Sequence, residues 1–223
     1  MKENKILNFI FGAKGFAKEV DWLIYDIFKL DMFDFRTNFF VVEDNSPMIG
    51  KVINNSTIIS EKDFLNNYKD AHKNCFIGIG SPKIRAEIVK FIKENTNNSY
   101  FPNIIHPSAD FDKRRDKIIM GEGNIICAKN VLTTDIKIGN FVHINLDCTI
   151  GHDSIIGDYT TISPGVHISG NVTIEEFVFL GTGMNILENI KIVSHCKIGA
   201  GATLTKSALE TGTYVGIPAT KIK

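Results

Sequence analysis

The sequence lacks most features of a secreted, membrane-spanning or nucleic-acid-coating protein. Its four cysteines, Cys75, Cys127, Cys148 and Cys196, make no CxxC pair and no framework spacing. They read as reduced thiols, not as a disulfide scaffold. No apolar run approaches the roughly 18 residues of a membrane span, and Met1 to Ile10 has no apolar signal-peptide core. The expectation is a cytoplasmic protein with no membrane partner. An excess of charge of one sign is also missing, because 25 Lys+Arg balance 25 Asp+Glu. Proteins that coat nucleic acid carry a basic excess, so no nucleic-acid partner is expected. Zero net charge favours self-association over mutual repulsion.

What the sequence does have is a repeat. From Gly121 to Leu204 it divides into fourteen consecutive hexads, GEGNII to GAGATL, and the sixth position is Ile or Leu in every one. The fourth position is mostly small or apolar, as at Val142, Cys148, Ser154, Val166 and Ala202, and glycine recurs at the first. A helix of period 3.6 cannot hold six-residue spacing on one face over such a length. A short strand followed by a corner can. Positions four and six then point to one side and position five to the other. Glycine, Asn or Asp at the corner tolerates the turn. Three hexads make one triangular coil of 18 residues, and coils stack at the strand spacing of about 4.8 Å. The prediction for residues 102–223 is a parallel β-helix. Its first coil begins at Ile105–Phe111, a small irregularity falls at the basic stretch Lys113–Lys117, and a cap follows Leu204, as the open end of a solenoid requires.

Residues 1–101 have no hexads and are expected to form a separate α/β domain. Lys5–Phe11, Asn38–Val42 and Cys75–Gly80 read as strands. Phe16–Phe28, with Val20, Leu23, Ile24 and Ile27 on one face, and Ser81–Asn95 read as helices. This alternation predicts a small parallel, Rossmann-like sheet. Gly12-Ala-Lys-Gly15 between the first strand and helix suits a phosphate at a helix N-terminus, and reads equally as a tight turn. Glu43 and Asp44 stand where such a fold places its ribose contact, and read equally as a solvated strand end.

The order of several motifs carries a resemblance. They are Gly12-Ala-Lys-Gly15, Gly78-Ile-Gly-Ser-Pro-Lys-Ile-Arg85, Ile105-His-Pro-Ser108, Gly151-His-Asp153, Ser169-Gly-Asn-Val-Thr-Ile174 and Gly216-Ile-Pro-Ala219. With the hexads, they make the chain resemble the hexapeptide-repeat acyltransferases of the sialic-acid O-acetyltransferase-like type. Within these it looks most like the N-acetyltransferases of nucleotide-linked amino sugars in bacterial-type surface glycan synthesis. The resemblance implies a left-handed β-helix, an exception to the right-handed crossover rule, and a homotrimer. It also implies acetyl-CoA as cosubstrate, no metal, and a nucleotide sugar held by the N-terminal domain near Gly12, Lys14, Gly15, Phe16, Glu43, Asp44 and Gly80. Phe16 stands where a histidine is common in the family, and Lys14 where a small residue is common.

The candidate general base is His152. It follows a corner glycine at position two of its hexad, and Asp153 is next to it. Acetyl transfer from a thioester to an amine needs a group that takes a proton near neutral pH, which imidazole does; a neighbouring carboxylate orients the ring. The family's catalytic histidine, followed by Asp or Glu, matches His152 and Asp153. One coil further on, 152 + 18 = 170, lies Gly170, whose N–H is a candidate oxyanion donor. Asn145, seven residues before His152 at a corner, is a candidate for positioning substrate, or a corner residue only. The family pattern implies acetyl-CoA contacts near Thr161, Thr182 and Ala200, between two subunits. His143 and His167 occupy position five and are expected to point outward. Cys148 and Cys196 at the inward fourth position are expected to be core residues, which favours direct transfer over an acyl-enzyme. Trimer contacts are expected from an outward apolar face at Phe177, Val178 and Phe179. The rival readings are sugar O-acetylation, a zinc hydratase needing three convergent histidines, and a non-catalytic scaffold.

Overall fold

In the computed structural model, which describes residues 6–28 and 38–223, the chain forms two compact units. One runs to Pro102 apart from Ser81–Lys83, and the other comprises those three residues and Asn103 onward. Lys5, expected to open the first strand, lies outside the described residues.

The first unit is an α/β layer of β1 (Leu7–Phe11), α1 (Gly15–Phe28), β2 (Phe39–Val42), β3 (Val52–Ile53), β4 (Ser56–Ser60), α2 (Glu61–Tyr68), β5 (Lys73–Ile77), α3 (Pro82–Asn95) and β6 (Ser99–Tyr100). The sheet order is β3-β4-β2-β1-β5-β6, parallel except for the β3–β4 hairpin. Phe9, Ile10 and Phe11 of the central strand are buried, and α1 packs Val20, Leu23 and Ile24 against the sheet, as the periodicity predicts. Trp22, the single tryptophan, faces outward on α1 at 46% exposure. The sequence reading missed β3, β4, α2 and β6. Yet Ser60-Glu-Lys-Asp63 is a capping box: the Ser60 hydroxyl accepts from Asp63 N–H at 3.0 Å and the Asp63 carboxylate reaches back to the cap. Lys73 is fully buried at the start of β5. Its ammonium donates to the carbonyls of Lys69 (3.0 Å), Ala71 (2.9 Å) and Asn97 (2.8 Å), beyond the C-terminal ends of α2 and α3, where a cation complements the helix dipoles.

The second unit is a left-handed parallel β-helix. Its two- and three-residue strands stack into three sheets. The first face carries the strands ending at Ile105, Ile126, Ile144, Ile162, Leu180 and Ile198. The second carries those ending at Phe111, Leu132, Ile150, Ile168, Ile186 and Leu204, and the third those ending at Met120, Ile138, Ile156, Ile174 and Ile192. Every fourth- and sixth-position side chain of the fourteen hexads is buried, none more than 4% exposed. The inward Asn124 and Asn130 satisfy the backbone they face: their carbonyl oxygens accept the N–H groups of Val142 and Cys148 at 2.8 Å. After Leu204 the chain closes the end, with Ala208 in the core and Thr213–Val215 paired onto the first face.

The corner differs from the sequence reading in one respect. The left-handed backbone falls on the third position of every hexad, with φ between +54° and +69°, and not on the first-position glycines. The third position is filled by Gly, Asp and Asn, but also by Lys129, Phe141, Tyr159, Phe177 and His195. The last four stack as a ladder with centroids 5.0–5.4 Å apart and planes within 14°, which offsets the steric cost of αL for residues with a Cβ. First-position glycines serve close approach instead. A Cβ on Gly151 would lie 2.6 Å from Gly170 N in the next coil. Two outward expectations are corrected. Val178 is fully buried, because as a fourth-position residue it points into the core, while Phe177 and Phe179 are half-buried. His143 is 1% exposed, because the outward column of the first face, Ile125–His143–Thr161, is itself covered.

Replacing Lys73 by Met should remove the ammonium that donates to the Ala71 and Asn97 carbonyls and shares the Lys69 carbonyl with Asn97 N–H. The expected loss is about 3 kcal/mol, read as a lower urea midpoint at unchanged slope.

Candidate active site

His152 and Asp153 sit on the corner between the second and third faces, and both are well exposed. The strand ending at Ile150 leads into this corner and the strand ending at Ile156 leads out, so the tight turn turns the two side chains away from the core. Asp153 takes the third-position αL backbone, φ +59°, which Asp tolerates. Its carboxylate oxygen lies 2.7 Å from His152 Nδ1. A carboxylate accepts, so Nδ1 is the donor of this bond, and in a neutral imidazole Nε2 then holds the lone pair.

Gly170 lies one coil above. A Cβ built on it would meet His152 Nε2 and Cε1 at 2.6 Å, so the basic edge of the imidazole lies over a position that only glycine leaves open. The Gly170 N–H donates to nothing among the described residues, while its carbonyl accepts from Asn189 N–H at 3.2 Å. The imidazole edge and a backbone N–H that has no acceptor among the described residues therefore lie one coil apart at the same corner.

The other residues singled out in the β-helix are not brought to this corner. Asn145, Thr182 and Ala200 stand on the corner between the first and second faces, at the opposite edge of the second face; Thr182 and Ala200 are exposed one above the other. The Asn145 side chain folds onto its own turn and accepts from Leu146 N–H at 2.8 Å. Thr161 is buried beside His143 on the first face, away from both corners. His167 points outward on the second face, its Nδ1 2.9 Å from the Thr149 hydroxyl. His143 and His167 therefore belong to different faces. Cys148 is fully buried, and burial pushes its thiol up to about 11. Burial raises Cys196 as well, and lifts Cys75 to about 12. These thiols are core groups and not nucleophiles.

In the first unit a cleft of about 460 Å³ opens at the carboxyl ends of β1, β2 and β5, where doubly wound sheets bind ligands. Gly12 and Lys14 line it, as does Glu43. Gly12 has φ +110°, and its N–H donates to Val41 O at 2.8 Å, which turns the chain sharply into α1. The first turn of α1 has no acidic residue, so its dipole is unopposed there. Gly15 begins α1, Phe16 is half-buried on that helix, and Gly80 lies in the turn after β5; none of the three lines the cleft. The acidic pair is split. Glu43 faces the cleft, whereas Asp44 accepts from Lys62 N–H at 2.8 Å in the first turn of α2. The sequence reading missed Ser46, Met48, Glu61 and the α3 stripe Ile84, Glu87, Ile88 and Phe91, which complete the lining. The spacing of that stripe, i, i+3, i+4 and i+7, was the available signal. Burial raises the Glu61 carboxyl above its ordinary value, and the charges of Asp44 and Glu43 add to this.

Comparison with known proteins gives a consistent result. Residues 9–92 match the PglD N-terminal domain family. A GDP-perosamine N-acetyltransferase of Escherichia coli O157:H7 is 29% identical over 162 residues, covering 72% of this chain and 69% of that protein. The structure of WeeI from Acinetobacter baumannii AYE superposes with a TM-score of 0.85 at 30% identity, over 98% of this chain and 100% of that one. The acetyltransferase domain of PglB from Neisseria gonorrhoeae FA1090, solved with acetyl coenzyme A, gives 0.82 at 25% identity, over 96% and 98%. With its hexads, its α/β unit and a 30% identical relative matched over its whole length, the chain is an acyltransferase and belongs to the hexapeptide-repeat sugar acetyltransferases that carry a PglD-type N-terminal domain.

Proposed function

We propose that this protein transfers the acetyl group of acetyl-CoA directly to the amine of a nucleotide-linked amino-deoxy sugar, with His152 as general base. The observation that carries the proposal is the pairing of His152 Nδ1 with Asp153 at 2.7 Å while the other ring edge lies over Gly170. The amine nitrogen attacks the thioester carbonyl carbon as Nε2 takes its proton. The Gly170 N–H donates to the oxyanion that forms. When the intermediate collapses, the C–S bond breaks and the imidazolium returns the proton to the CoA sulfur. The sugar substrate and cosubstrate are supported by relatives named as a GDP-perosamine N-acetyltransferase and as a structure with acetyl coenzyme A.

In this reading the cleft of the α/β unit holds the nucleotide. The diphosphate lies at the N-terminal turn of α1 beside Gly12 and Lys14, and Glu43 accepts from ribose hydroxyls. The protein works as a homotrimer in the cytoplasm. Thr182 and Ala200 stand at the other edge of the second face from His152, so a neighbouring copy would supply the acetyl-CoA contacts that one chain keeps apart. The buried Thr161 is left out of them.

The split of the acidic pair separates two outcomes. Glu43→Ala should raise the KM for nucleotide sugar several-fold and leave that for acetyl-CoA unchanged. Asp44→Ala should instead destabilise the fold by about 1 kcal/mol for a lost helix-end acceptor, read as a lower urea midpoint at unchanged slope.

His152→Ala should lower kcat by about 10²–10⁴-fold with the fold retained, since an exposed corner side chain contributes little to the inward stack. The wild-type kcat/KM should rise with pH along a limb that this variant lacks. Asp153→Asn should cost less, because the imidazole stays. Full turnover in folded His152→Ala would refute the assignment of the base.

Gly170→Ala tests the open position. The added methyl would displace the His152 ring, and kcat should fall about 10²-fold, the scale of an ångström-level misplacement, with both KM values within a few-fold of wild type.

A further inference from the structure

The basic stretch Lys113–Lys117, which breaks the hexad pattern, has no part in the chemistry above. Its place in the β-helix gives it one. The first coil is longer than the rest: Ile105 pairs with Ile126, 21 residues on, whereas Ile126 pairs with Ile144, 18 on. The extra residues leave the strand Asp110–Phe111 and rejoin at Ile118–Met120, on the corner column that carries His152 and Asp153 two coils higher.

From Phe141 to Gly201, each third-position N–H donates to the second-position carbonyl of the coil below, at 2.7–3.2 Å. Asp153 makes this bond to Thr134 O, and His152 O accepts it from Asn171. The dyad is thus seated between a coil above and the Thr134–Asp135 corner below. That lower corner lacks the bond beneath it: among the described residues Asp135 N–H meets no carbonyl, because the longer coil does not present one. Side chains take over. The Thr134 hydroxyl donates to Asp112 Oδ2 at 2.7 Å, and Arg114 grips the same carboxylate at 2.6 and 2.9 Å. Lys117 Nζ donates to Asp135 Oδ1 at 2.7 Å. The Arg114 guanidinium and the Thr134 hydroxyl hold the Asp112 carboxyl well below the usual carboxylate range, so it is a charged acceptor at any working pH.

We propose that Asp112, Arg114 and Thr134 are positioning residues, a side-chain clamp that fixes the corner on which the His152–Asp153 dyad is seated. This rests on the reading of His152 as the base. The clamp touches no reacting atom. It replaces a backbone bond at the one coil where the repeat is interrupted, and the cost of its loss is borne by the ring orientation one coil above.

Thr134→Val, Asp112→Asn and Arg114→Gln are compared with wild type in the full chain. Each should lower kcat about 5–20-fold and leave the KM of both substrates within twofold. Each should also shift or broaden the His152 Nδ1–H proton resonance. Thr134→Ser, which keeps the hydroxyl, should retain the wild-type kcat and resonance. Arg114 is exposed, so Arg114→Gln remains informative if Thr134→Val fails to fold. Lys191→Ala, which breaks the Lys191–Glu175 ion pair at 2.8 Å away from the dyad, should leave kcat at the wild-type value. Unchanged kcat and an unchanged resonance in the clamp variants, with His152→Ala inactive, would overturn the clamp and spare the base. An equal loss in Lys191→Ala would also overturn it, as general loosening. Full turnover by His152→Ala would overturn the base, and the clamp's role with it.

Discussion

The β-helix depends on a left-handed residue at the third position of each hexad. That conformation lets the chain turn at a triangular corner and enter the next strand with positions four and six facing inward. It costs roughly 1–2 kcal/mol for a residue with a Cβ, and the structure meets the cost in two ways. At nine of the fourteen corners Gly, Asp or Asn lowers it. At most of the others a ring stacks on the ring of the coil below, so each substituent is supported by its neighbour. The repeat is in this sense quasi-one-dimensional: a corner is stabilised by the coils adjoining it and by little else.

The same corner geometry produces the site. A strand in a packed sheet offers its outward side chains at fixed spacing and in one direction. A corner residue at position two or three is free of the inward stack, yet its backbone is bonded to the coils above and below. In the reaction we propose, His152 and Asp153 combine the exposure that proton transfer needs with the restraint that orientation needs. Gly170 completes the arrangement by absence, since any side chain there would occupy the space of the imidazole edge.

Much of this was legible in the sequence, because a strict six-residue period has few structural solutions. Fourteen Ile or Leu at the sixth position give the sheets and the core, and adding 18 to His152 leads to Gly170. What stayed hidden is what a period does not encode. The αL positions carry Lys, Phe, Tyr and His as well as the usual turn residues, so composition does not reveal them. Burial of His143 depends on what covers an outward column, and alternation along a strand says nothing of that. In the α/β unit, β4 and α2 are short and polar, and only the Ser60–Asp63 spacing announces the helix. Glu43 and Asp44 are equivalent as a dipeptide. They separate because consecutive side chains at a strand end diverge, one into the cleft and one to the N-terminal turn of α2.

The outward placement of Trp22 on α1 has a practical consequence. It is the single tryptophan of the chain, and it lies in the α/β unit. Indole emission excited at the red edge therefore reports on that unit alone, whereas the heat absorbed in a calorimetric scan comes from both units. The two signals together separate the melting of the two units without labels. Coincident transitions would mean that the units unfold as one cooperative block, and divergent ones that each has its own melting point.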